Sequence, residues 1–460
     1  MRSPGAKVVL MIMAVAGCFS DVRAETLNVG HEDQARFSSI NAAIQAAHPG
    51  DRVVVGPGTY VEQVVVDKTL TLEGVNKPVV RGTGRGSTII VLAPGCAIRG
   101  FAVQHCGGDL QREDSGILLK SPGNRVEDND LSDVLFGIYL FQSAGNTISR
   151  NTIRGRVEMD VGDRGAGLHF YNSPDNTIED NVITEERDGM YIQNSPGNKV
   201  RRNRVSNLRY GLHYMYSDAN VFEDNVFSNN TAGAAIMYSN RIEFRRNAFI
   251  HNRGFSSFGI LFQECNDCIA EENFIVDNGA GLFMESIRRS AFRNNVIAGN
   301  DVAIEMFASA AENVFTGNNF VENLSPLHLI GRTTTTRWSE KGRGNFWGDY
   351  DGYDLNGDGI GDVPHKVQNV FEYMEGNYPR LRLYLSSPAA QALAVAEKTL
   401  PVLRGSSEAD PAPLAKATDL KFQFVEHSAK RNAQVPLLIA SLLMVGSASA
   451  LVFHARRRAE

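Results

Sequence analysis

The sequence carries little excess charge and has no long basic run. Its 460 residues sum to a formal net charge of −6, and no long basic run occurs before Arg456–Arg458, near the end of the chain. Nucleic-acid-binding domains carry a basic patch or stripe that attracts phosphate. The charge pattern therefore gives no support for a nucleic-acid partner.

Cysteine is also scarce, and one of the 5 lies in an N-terminal stretch typical of an export signal. A positively charged start precedes the apolar residues 8–19, and Ala24 ends a site suited to cleavage. We predict a signal peptide over residues 1–24. A lipoprotein-type cleavage box ending at Cys18 is the alternative. The four other cysteines then lie in an oxidising compartment and suggest disulfides whose pairing cannot be deduced.

Charge is absent from one long stretch near the C-terminus. Residues 435–453 contain no charged side chain over 19 positions, and three arginines follow. This length spans a bilayer core, and positive flanks stay in the cytoplasm. We predict a transmembrane helix over 435–453 and a cytoplasmic tail over 454–460, with the body in the periplasm and anchored to the inner membrane. A buried hydrophobic helix is the alternative.

Asparagine recurs in a motif of the form N-x-apolar-x-x-N-x-apolar. Its second asparagine falls at positions 129, 151, 181, 203, 225, 247, 273, 295 and 318, and five of those eight steps are 22 residues long. This period, with short alternating strands, predicts an all-β fold: a right-handed parallel β-helix of the pectin-lyase-like kind, with coils about 4.8 Å apart. Stacked asparagines should hydrogen-bond from coil to coil. A leucine-rich horseshoe would need a Leu-dominated consensus and helices, and neither is present.

A second strand of each coil begins at a glycine fourteen residues before the repeat asparagine in most coils. Side chains alternate along a strand, so residues two and four after that glycine should face outward. The first outward column contains Tyr139, His169, Tyr191, His213, Ala235, Leu261 and Phe283, and the second contains Phe141, Tyr171, Gln193, Met215, Met237, Gln263 and Glu285. His213 and Met215 thus emerge from one strand, and Met237 lies over Met215.

The remaining segments are predicted to cover or tether the solenoid. Serines before Ile40 and an apolar spacing from Ile40 to Ala47 predict a short helix that closes the first coil. We expect an N-terminal cap over 25–60, parallel β-helix repeats over 61–345, a C-terminal cap with an Asp/Gly-rich loop over 346–385, and a linker over 386–434.

The chain from about residue 25 to 385 resembles the NosD family, and "GNFWGDYDGYDLNGDGIGDVPH" is the most specific part of that likeness. The resemblance implies a periplasmic accessory protein for maturation of nitrous oxide reductase, a role in denitrification. It also implies an ABC-type ATPase and permease, a copper chaperone and the reductase as partners, with assembly of copper centres as the task.

Soft side chains on the outward face provide the first candidate site. Thioether sulfur and imidazole suit Cu(I), so we predict transient Cu(I) binding by His213, Met215 and Met237. An outward apolar patch that contacts a partner protein is the alternative, because methionine and aromatic residues are enriched at interfaces. The aromatic surface for such a partner would include Tyr139, His169, Tyr171 and Tyr191.

Two further motifs have metal-like spacing. Cys265 and Cys268 form a C-x-x-C that could bind Cu(I), exchange disulfides, or simply form a local disulfide or pack in the turn. A calcium-like loop spaces Asp354, Asn356, Asp358 and Asp362, but its twelfth position is His365 rather than glutamate. A structural calcium site and a turn held by Asx hydrogen bonds are both open interpretations.

Catalysis is the rival class, because this fold also supports polysaccharide lyases and hydrolases. Glycoside hydrolysis needs two carboxylates about 5–10 Å apart in a cleft. The outward acids Glu285 and Glu305 fall in different columns, and Asp188 precedes its glycine alone. We therefore predict no enzymatic activity. A carbohydrate-binding or polysaccharide-processing protein remains the alternative because the aromatic face could stack on sugars.

Overall fold

The computed structural model describes residues 24–30, 35–331, 333–368 and 408–420. Its body is the predicted right-handed parallel β-solenoid, built from sheets of 13, 12 and 13 strands. The first sheet comprises Thr26–Val29, Arg52–Val55, Thr71–Gly74, Ala97–Arg99, Arg125–Glu127, Thr147–Ser149, Thr177–Glu179, Lys199–Arg201, Val221–Glu223, Glu243–Arg245, Ile269–Glu271, Ala291–Arg293 and Val314–Thr316.

The other two sheets complete each coil. The second comprises Val64–Val66, Ile89–Val91, Ser115–Leu119, Phe136–Phe141, Ala166–Tyr171, Asp188–Gln193, Tyr210–Met215, Ala232–Met237, Phe258–Gln263, Ala280–Glu285, Val302–Phe307 and Ser325–Ile330. The third comprises Thr59–Val61, Val79–Arg81, Ala102–Gln104, Asp130–Val134, Thr152–Gly155, Val182–Thr184, Arg204–Ser206, Val226–Ser228, Ala248–Ile250, Phe274–Val276, Val296–Ala298, Asn319–Val321 and Phe346–Trp347.

Asparagine ladders hold successive coils together at the turns. Each buried amide accepts from the backbone N–H of the asparagine one coil earlier, as where Asn203 donates to Asn225 Oδ1 at 3.0 Å. Its own Nδ2 donates onward, from Asn225 to Asn247 Oδ1 at 2.9 Å. These bonds satisfy backbone N–H and carbonyl groups of the turns that no strand of the three sheets pairs with, which is why asparagine repeats there. The ladder continues to Asn345, beyond the last repeat visible in the sequence.

The glycine that starts each second-sheet strand is required by close packing. A Cβ on Gly189 would lie 2.3 Å from a methyl carbon of Val205 in the core. Gly189 and the fully buried Met190 therefore both face inward. The residue before the glycine, Asp188, contacts His213 on the outer face.

The N-terminal end of the solenoid is closed by the predicted helix, which spans Ile40–Ala46 with Ser39 as its N-cap. Glu62 accepts from the backbone N–H groups of Ile40 and Asn41, satisfying the first turn. Residues 25–60, expected to form only a cap, also contribute strands. The solenoid begins at Thr26 because Thr26–Val29 pairs with Arg52–Val55.

The C-terminal end is closed by residues that the sequence assigned to a linker. Residues 408–420 return to the last coil, and Ala409–Asp410 pairs antiparallel with His365–Lys366. Asp410 Oδ2 accepts from the Trp347 indole at 3.0 Å and from the backbone N–H of Asn345 at 2.7 Å. Asp410 thus takes the place of the next ladder asparagine, and the expected linker over 386–434 is wrong for this part.

The predicted signal peptide lies outside the described residues apart from Ala24, and the apolar stretch 435–453 lies wholly outside them. In the ranges that the structure does describe, no helix has the length and apolar character needed to cross a bilayer. Apart from the helix Ile40–Ala46, the helical element in the described ranges is a single 3₁₀ turn at Val161–Asp163.

Candidate functional site

The outer face of the second sheet brings the predicted copper ligands together. His213 is in register with Tyr191 on one side and Ala235 on the other. In the neighbouring column Met215 is directly paired with Met237. All three candidate ligands are partly exposed, whereas the alternate positions Leu212 and Tyr214 are fully buried. Parallel strands lie about 4.8 Å apart, so the two thioethers are within reach of one ion.

Asp188 lies directly behind His213, whereas the sequence had shown it only as an isolated acid without a catalytic partner. The carboxylate is fully buried, and its Oδ2 lies 3.1 Å from His213 Nδ1. Arg209 donates to both carboxylate oxygens, at 3.0 and 2.8 Å. Burial raises the pKa of Asp188, but the hydrogen bonds from His213 and Arg209 outweigh burial and hold it below the ordinary value of 3.8.

The contact with Asp188 determines which ring nitrogen of His213 is free to bind a ligand. An ionised carboxylate on Nδ1 fixes the ring and favours the tautomer that carries its proton there. Nε2 then has a free lone pair. Many metal-bound histidines have this arrangement, in which a carboxylate accepts a hydrogen bond from the ring nitrogen that does not bind the metal. Asp188, which directly precedes Gly189, orients a histidine in this coil only, so no repeat pattern could reveal the role. The useful signal was an acid where the same column has Ala166 and Tyr210.

The aromatic column continues away from this pair. The ring centroids of Tyr139 and His169 are 4.5 Å apart, those of His169 and Tyr191 are 4.9 Å apart, and those of Tyr191 and His213 are 4.8 Å apart. Tyr139 and His169 are each only 4% exposed. These two side chains are covered in this structure, with Glu113 of an insertion beside His169, and the partner surface stays a prediction. Tyr171 and Tyr191 are half-buried at the edge of the face.

His169 is a neutral, covered imidazole. Burial lowers its pKa to about 3, and neither ring nitrogen has a hydrogen-bond partner in the described part of the chain. Its nearest acid is Glu113, whose Oε1 lies 3.7 Å from Nδ1. Tyr191 separates this ring from His213 by a full coil, so His169 does not join the methionine pair.

The other edge of the methionine pair is an exposed aromatic stack. Tyr216 and Tyr238 directly follow Met215 and Met237, and their ring centroids are 5.0 Å apart with nearly parallel planes. Tyr216 is 52% exposed. An open thioether pair bordered by accessible tyrosines is more suited to transient contact with a partner protein than an enclosed metal site would be.

The cysteines are free thiols rather than disulfides. Cys96, Cys106, Cys265 and Cys268 are all buried and unpaired. The local Cys265–Cys268 disulfide that the sequence left open is therefore not the state seen. The two thiols lie three residues apart in one buried turn, where Cys265 Sγ contacts the carbonyl oxygens of Ile236 and Gln263 and Cys268 Sγ contacts that of Asn266.

The calcium-like loop is organised by Asx hydrogen bonds. Asp354 accepts from the backbone N–H groups of Gly357 and Gly359, and Asp358 accepts from that of Ile360. Asn356 and Asp362 also accept from backbone N–H groups. Across the described ranges no group of three or more His, Cys, Asp or Glu side chains converges as a metal site. The geometry favours the turn interpretation, and calcium stays a prediction.

The outward acids do not form a hydrolytic pair. Glu285 accepts from Gln263 Nε2 at 2.9 Å, and Glu305 lies in the other column, in register with Phe283. The buried Asp188 forms an ion pair with Arg209 and a hydrogen bond with His213. Two carboxylates facing one another across a cleft, as glycoside hydrolysis needs, are not formed by these three acids.

Comparison with known proteins identifies the family. The family model described as "Periplasmic copper-binding protein (NosD)" matches residues 154–352, and a domain of unknown function, DUF1565, matches residues 67–232. A protein of Pseudomonas aeruginosa PAO1 named "Probable ABC transporter binding protein NosD" is 34% identical over 398 residues, covering 83% of this chain and 92% of that protein. A protein of the same name from Stutzerimonas stutzeri is 33% identical over 376 residues, covering 78% and 85%.

Solved structures share the solenoid at much lower identity. The Dettilon tailspike protein aligns with a TM-score of 0.50 at 14% identity, over 62% of this chain and 64% of its own. A family 28 exopolygalacturonase of Yersinia enterocolitica aligns with a TM-score of 0.50 at 12% identity, over 69% and 78%. These likenesses show the fold alone. The sequence relatives, which span most of both chains, show that this chain belongs to the NosD family.

Proposed function

We propose that this chain is a periplasmic accessory protein for maturation of nitrous oxide reductase. In this role it handles copper as transient cargo and works with an ABC-type ATPase and permease, receiving the metal from a copper chaperone. The names of its relatives and the periplasmic, copper-binding description of the family support this assignment. An apolar helix over 435–453 would anchor it to the inner membrane.

The observation that carries the proposal is the His213–Met215–Met237 arrangement with Asp188 behind it. Two thioethers and one imidazole form a soft donor set that suits Cu(I) and not calcium or magnesium. The donors lie on an outward face, in register, and the imidazole is oriented by a buried carboxylate. Open coordination of this kind favours release to a partner over storage.

Anaerobic titration with Cu(I) against a competing chelator tests the proposal. Wild-type protein purified after expression of the full-length chain should bind one Cu(I), and the variant Met215→Ala/Met237→Ala should bind at least tenfold more weakly, since two of three ligands are lost. The matched control is Gln193→Ala/Gln263→Ala, which changes the residues that flank the methionines in the same column.

The outcomes separate three interpretations. Unchanged Cu(I) affinity in the methionine variant would place copper elsewhere in the chain. A wild-type protein that binds no Cu(I) would leave this face as a surface for partner proteins. In cells that lack the chain, nitrous oxide reductase should accumulate with little copper, and a reductase with full copper content would overturn the maturation role.

A further inference from the structure

One turn of the solenoid replaces ladder residues with two cysteines. At the turn that follows each second-sheet strand, serine hydroxyls form their own ladder, in which each backbone N–H donates to the next hydroxyl. The bonds run through Ser143, Ser173, Ser195, Ser217 and Ser239. Cys265 occupies the next place in this ladder, since Gln263 is in register with Met237 and Asn266 with Asn240.

Cys268 makes a second replacement in the same turn. Its column contains the ladder asparagines Asn198 and Asn220 in earlier coils, Ile242 in the coil directly before and Ser290 in the next one. The backbone N–H of Cys268 donates to Ser290 Oγ at 3.0 Å, as a ladder residue does. Ile287 follows Cys265 in the other column, and it is fully buried like Ile242, so these places accept apolar as well as hydrogen-bonding side chains. What sets this turn apart is that it contains two thiols with C-x-x-C spacing.

The two thiols lie in one buried turn, and both sulfurs contact backbone carbonyl oxygens. Cys265 Sγ lies 3.5 Å from the carbonyl oxygen of Ile236 and 3.4 Å from that of Gln263. Cys268 Sγ lies 3.5 Å from the carbonyl oxygen of Asn266. Side-chain exposure is minimal, since the residues are 0% and 2% exposed. Such a pair is shielded from solvent, and its C-x-x-C spacing places both thiols in one turn, as formation of a local disulfide requires.

The thiol pair also lies close to the proposed copper ligands. Ile236, whose carbonyl oxygen contacts Cys265, directly precedes Met237 in the strand Ala232–Met237. Gln263, which precedes Cys265 by two residues, is in register with Met237. The sulfurs are thus inside the wall of the solenoid whose outer side presents the methionine pair.

We propose that Cys265 and Cys268 are a redox-active dithiol that reduces Cu(II) arriving at this face to the Cu(I) state that the methionines bind. This inference rests on copper being the cargo. Each thiol gives one electron to one Cu(II) and releases one proton, and the two sulfurs join in a disulfide. Two Cu(II) therefore become two Cu(I) for each disulfide formed, and no other reactant is needed.

The chemistry of the donors makes this step useful. Thioethers select Cu(I) over Cu(II), so cargo that arrives oxidised would not be held by Met215 and Met237. A dithiol one backbone contact away converts the ion to the form that its neighbours prefer. The thiolate is the reactive form of cysteine, so the proton of each thiol leaves as its electron passes to copper.

A single-turnover experiment on protein expressed as the full-length chain tests the proposal. The protein is reduced, freed of reductant and mixed anaerobically with two equivalents of Cu(II). Cu(I) is then measured with a chromogenic chelator, and remaining thiols are counted after unfolding. Wild type should yield two Cu(I) and lose two thiols, and peptide mapping should find them joined between positions 265 and 268.

The chain supplies its own controls. Cys265→Ser/Cys268→Ser places at both positions a residue that the same columns contain at Ser239 and Ser290, so the solenoid should fold, and both the Cu(I) yield and the thiol loss should disappear. Cys96→Ser/Cys106→Ser removes the two other buried thiols, which bond to separate carbonyls in other coils, and should behave as wild type.

The results distinguish this inference from the proposed function. Equal Cu(I) yield from Cys265→Ser/Cys268→Ser, or wild type that keeps all its thiols, would overturn the dithiol. Loss of directly supplied Cu(I) from that variant would make the sulfurs ligands rather than reductants, and would also overturn it. A chain that oxidises its thiols but binds no Cu(I) would instead contradict the copper role of the methionines.

Discussion

The turn ladders and the outer face of the second sheet belong to the same coils but follow opposite rules. At the turn, Asn203 and Asn225 repeat because each amide is the partner of the next. On the face, Tyr191, His213 and Ala235 succeed one another in a single column without repeating. Nothing in the coil requires a given side chain there. Repetition therefore marks what the fold needs, and departure from it marks what is available for function.

The comparison extends to positions where a departure enters a ladder. Cys265 follows Ser239 in one ladder, Cys268 precedes Ser290 in another, and Asp410 stands in for an asparagine at the C-terminal end. The first departure introduces chemistry, and the second closes the solenoid. Substituting a regular ladder residue, and separately a residue of the outer face, measures how much the fold depends on each.

The largest effect is expected from removing a ladder amide. Asn225→Ala deletes an oxygen that accepts from the backbone N–H and Nδ2 of Asn203, and a nitrogen that donates to the carbonyl of Val200 and to Asn247. A buried group left without its partner costs about 1–3 kcal/mol. We expect a loss of about 3 kcal/mol in the free energy of unfolding, measured by chemical denaturation.

The control for that substitution lies on the outer face. Gln193→Ala should change the free energy of unfolding by less than about 0.5 kcal/mol. Equal destabilisation by the two variants would break the distinction between ladder and face. The ladder variant should also retain wild-type Cu(I) affinity in whatever fraction stays folded, since Asn225 contacts none of the proposed ligands.

A smaller effect, on binding rather than folding, is expected from Asp188→Asn. The amide keeps the shape of the carboxylate but loses the charge that orients His213. Loss of a carboxylate behind a metal-bound histidine typically weakens affinity by about 10- to 100-fold. Anaerobic Cu(I) competition should show a drop in this range, whereas Asp180→Asn, in an exposed ion pair with Arg202, should show none. Equal affinity in both variants would remove Asp188 from the site.

The same carboxyl gives a pH signature with a defined sign. The pKa of Asp188 is lower in the folded chain than the ordinary 3.8. Its stabilising contribution is therefore complete above the unfolded pKa of about 3.9 and is lost as the pH falls through the lowered folded value. Wild type should lose stability more steeply than Asp188→Asn below about pH 4, and parallel curves from acid titration of the two proteins would contradict this account.

Much of the fold could be predicted from the sequence because its register is local and repeated. The asparagine spacing fixed the coil length, and the glycine column fixed which side chains emerge, so His213, Met215 and Met237 fall on one face. Period-two alternation also kept Leu212 and Tyr214 in the core.

The features that could not be predicted arise from contacts that occur once. Glu113, on an insertion before Ser115–Leu119, lies beside Tyr139 and His169, and insertion length alone does not say where a loop lies. The return of residues 408–420 joins parts of the chain far apart in sequence. The contact of Asp188 with His213 could not be predicted because its partners, His213 and Arg209, are on the following coil and no column repeats the trio.

The smallest effect is expected from the repeated but exposed ion pairs at the turns. Arg202 donates to both oxygens of Asp180 and to Glu179, at 2.9–3.0 Å, and similar pairs join Arg150 to Asp128 and Arg246 to Asp224. Arg202 is 47% exposed, so solvent screens the attraction. Arg202→Ala should lower the free energy of unfolding by about 0.5 kcal/mol, and high salt should reduce that difference because exposed charges are screened.

This last variant tests whether repetition alone implies importance. The Arg202 pair repeats at the ladder spacing, yet it lies in water, where exposed pairs contribute little because solvation already stabilises both charges. If Arg202→Ala costs as much as Asn225→Ala in the same denaturation experiment, repetition rather than burial sets the cost, and the contrast between ladder and face needs a different cause. If the cost is small and falls with salt, then burial of an unpaired group is what makes a repeated position indispensable, and exposed repeats are free to vary.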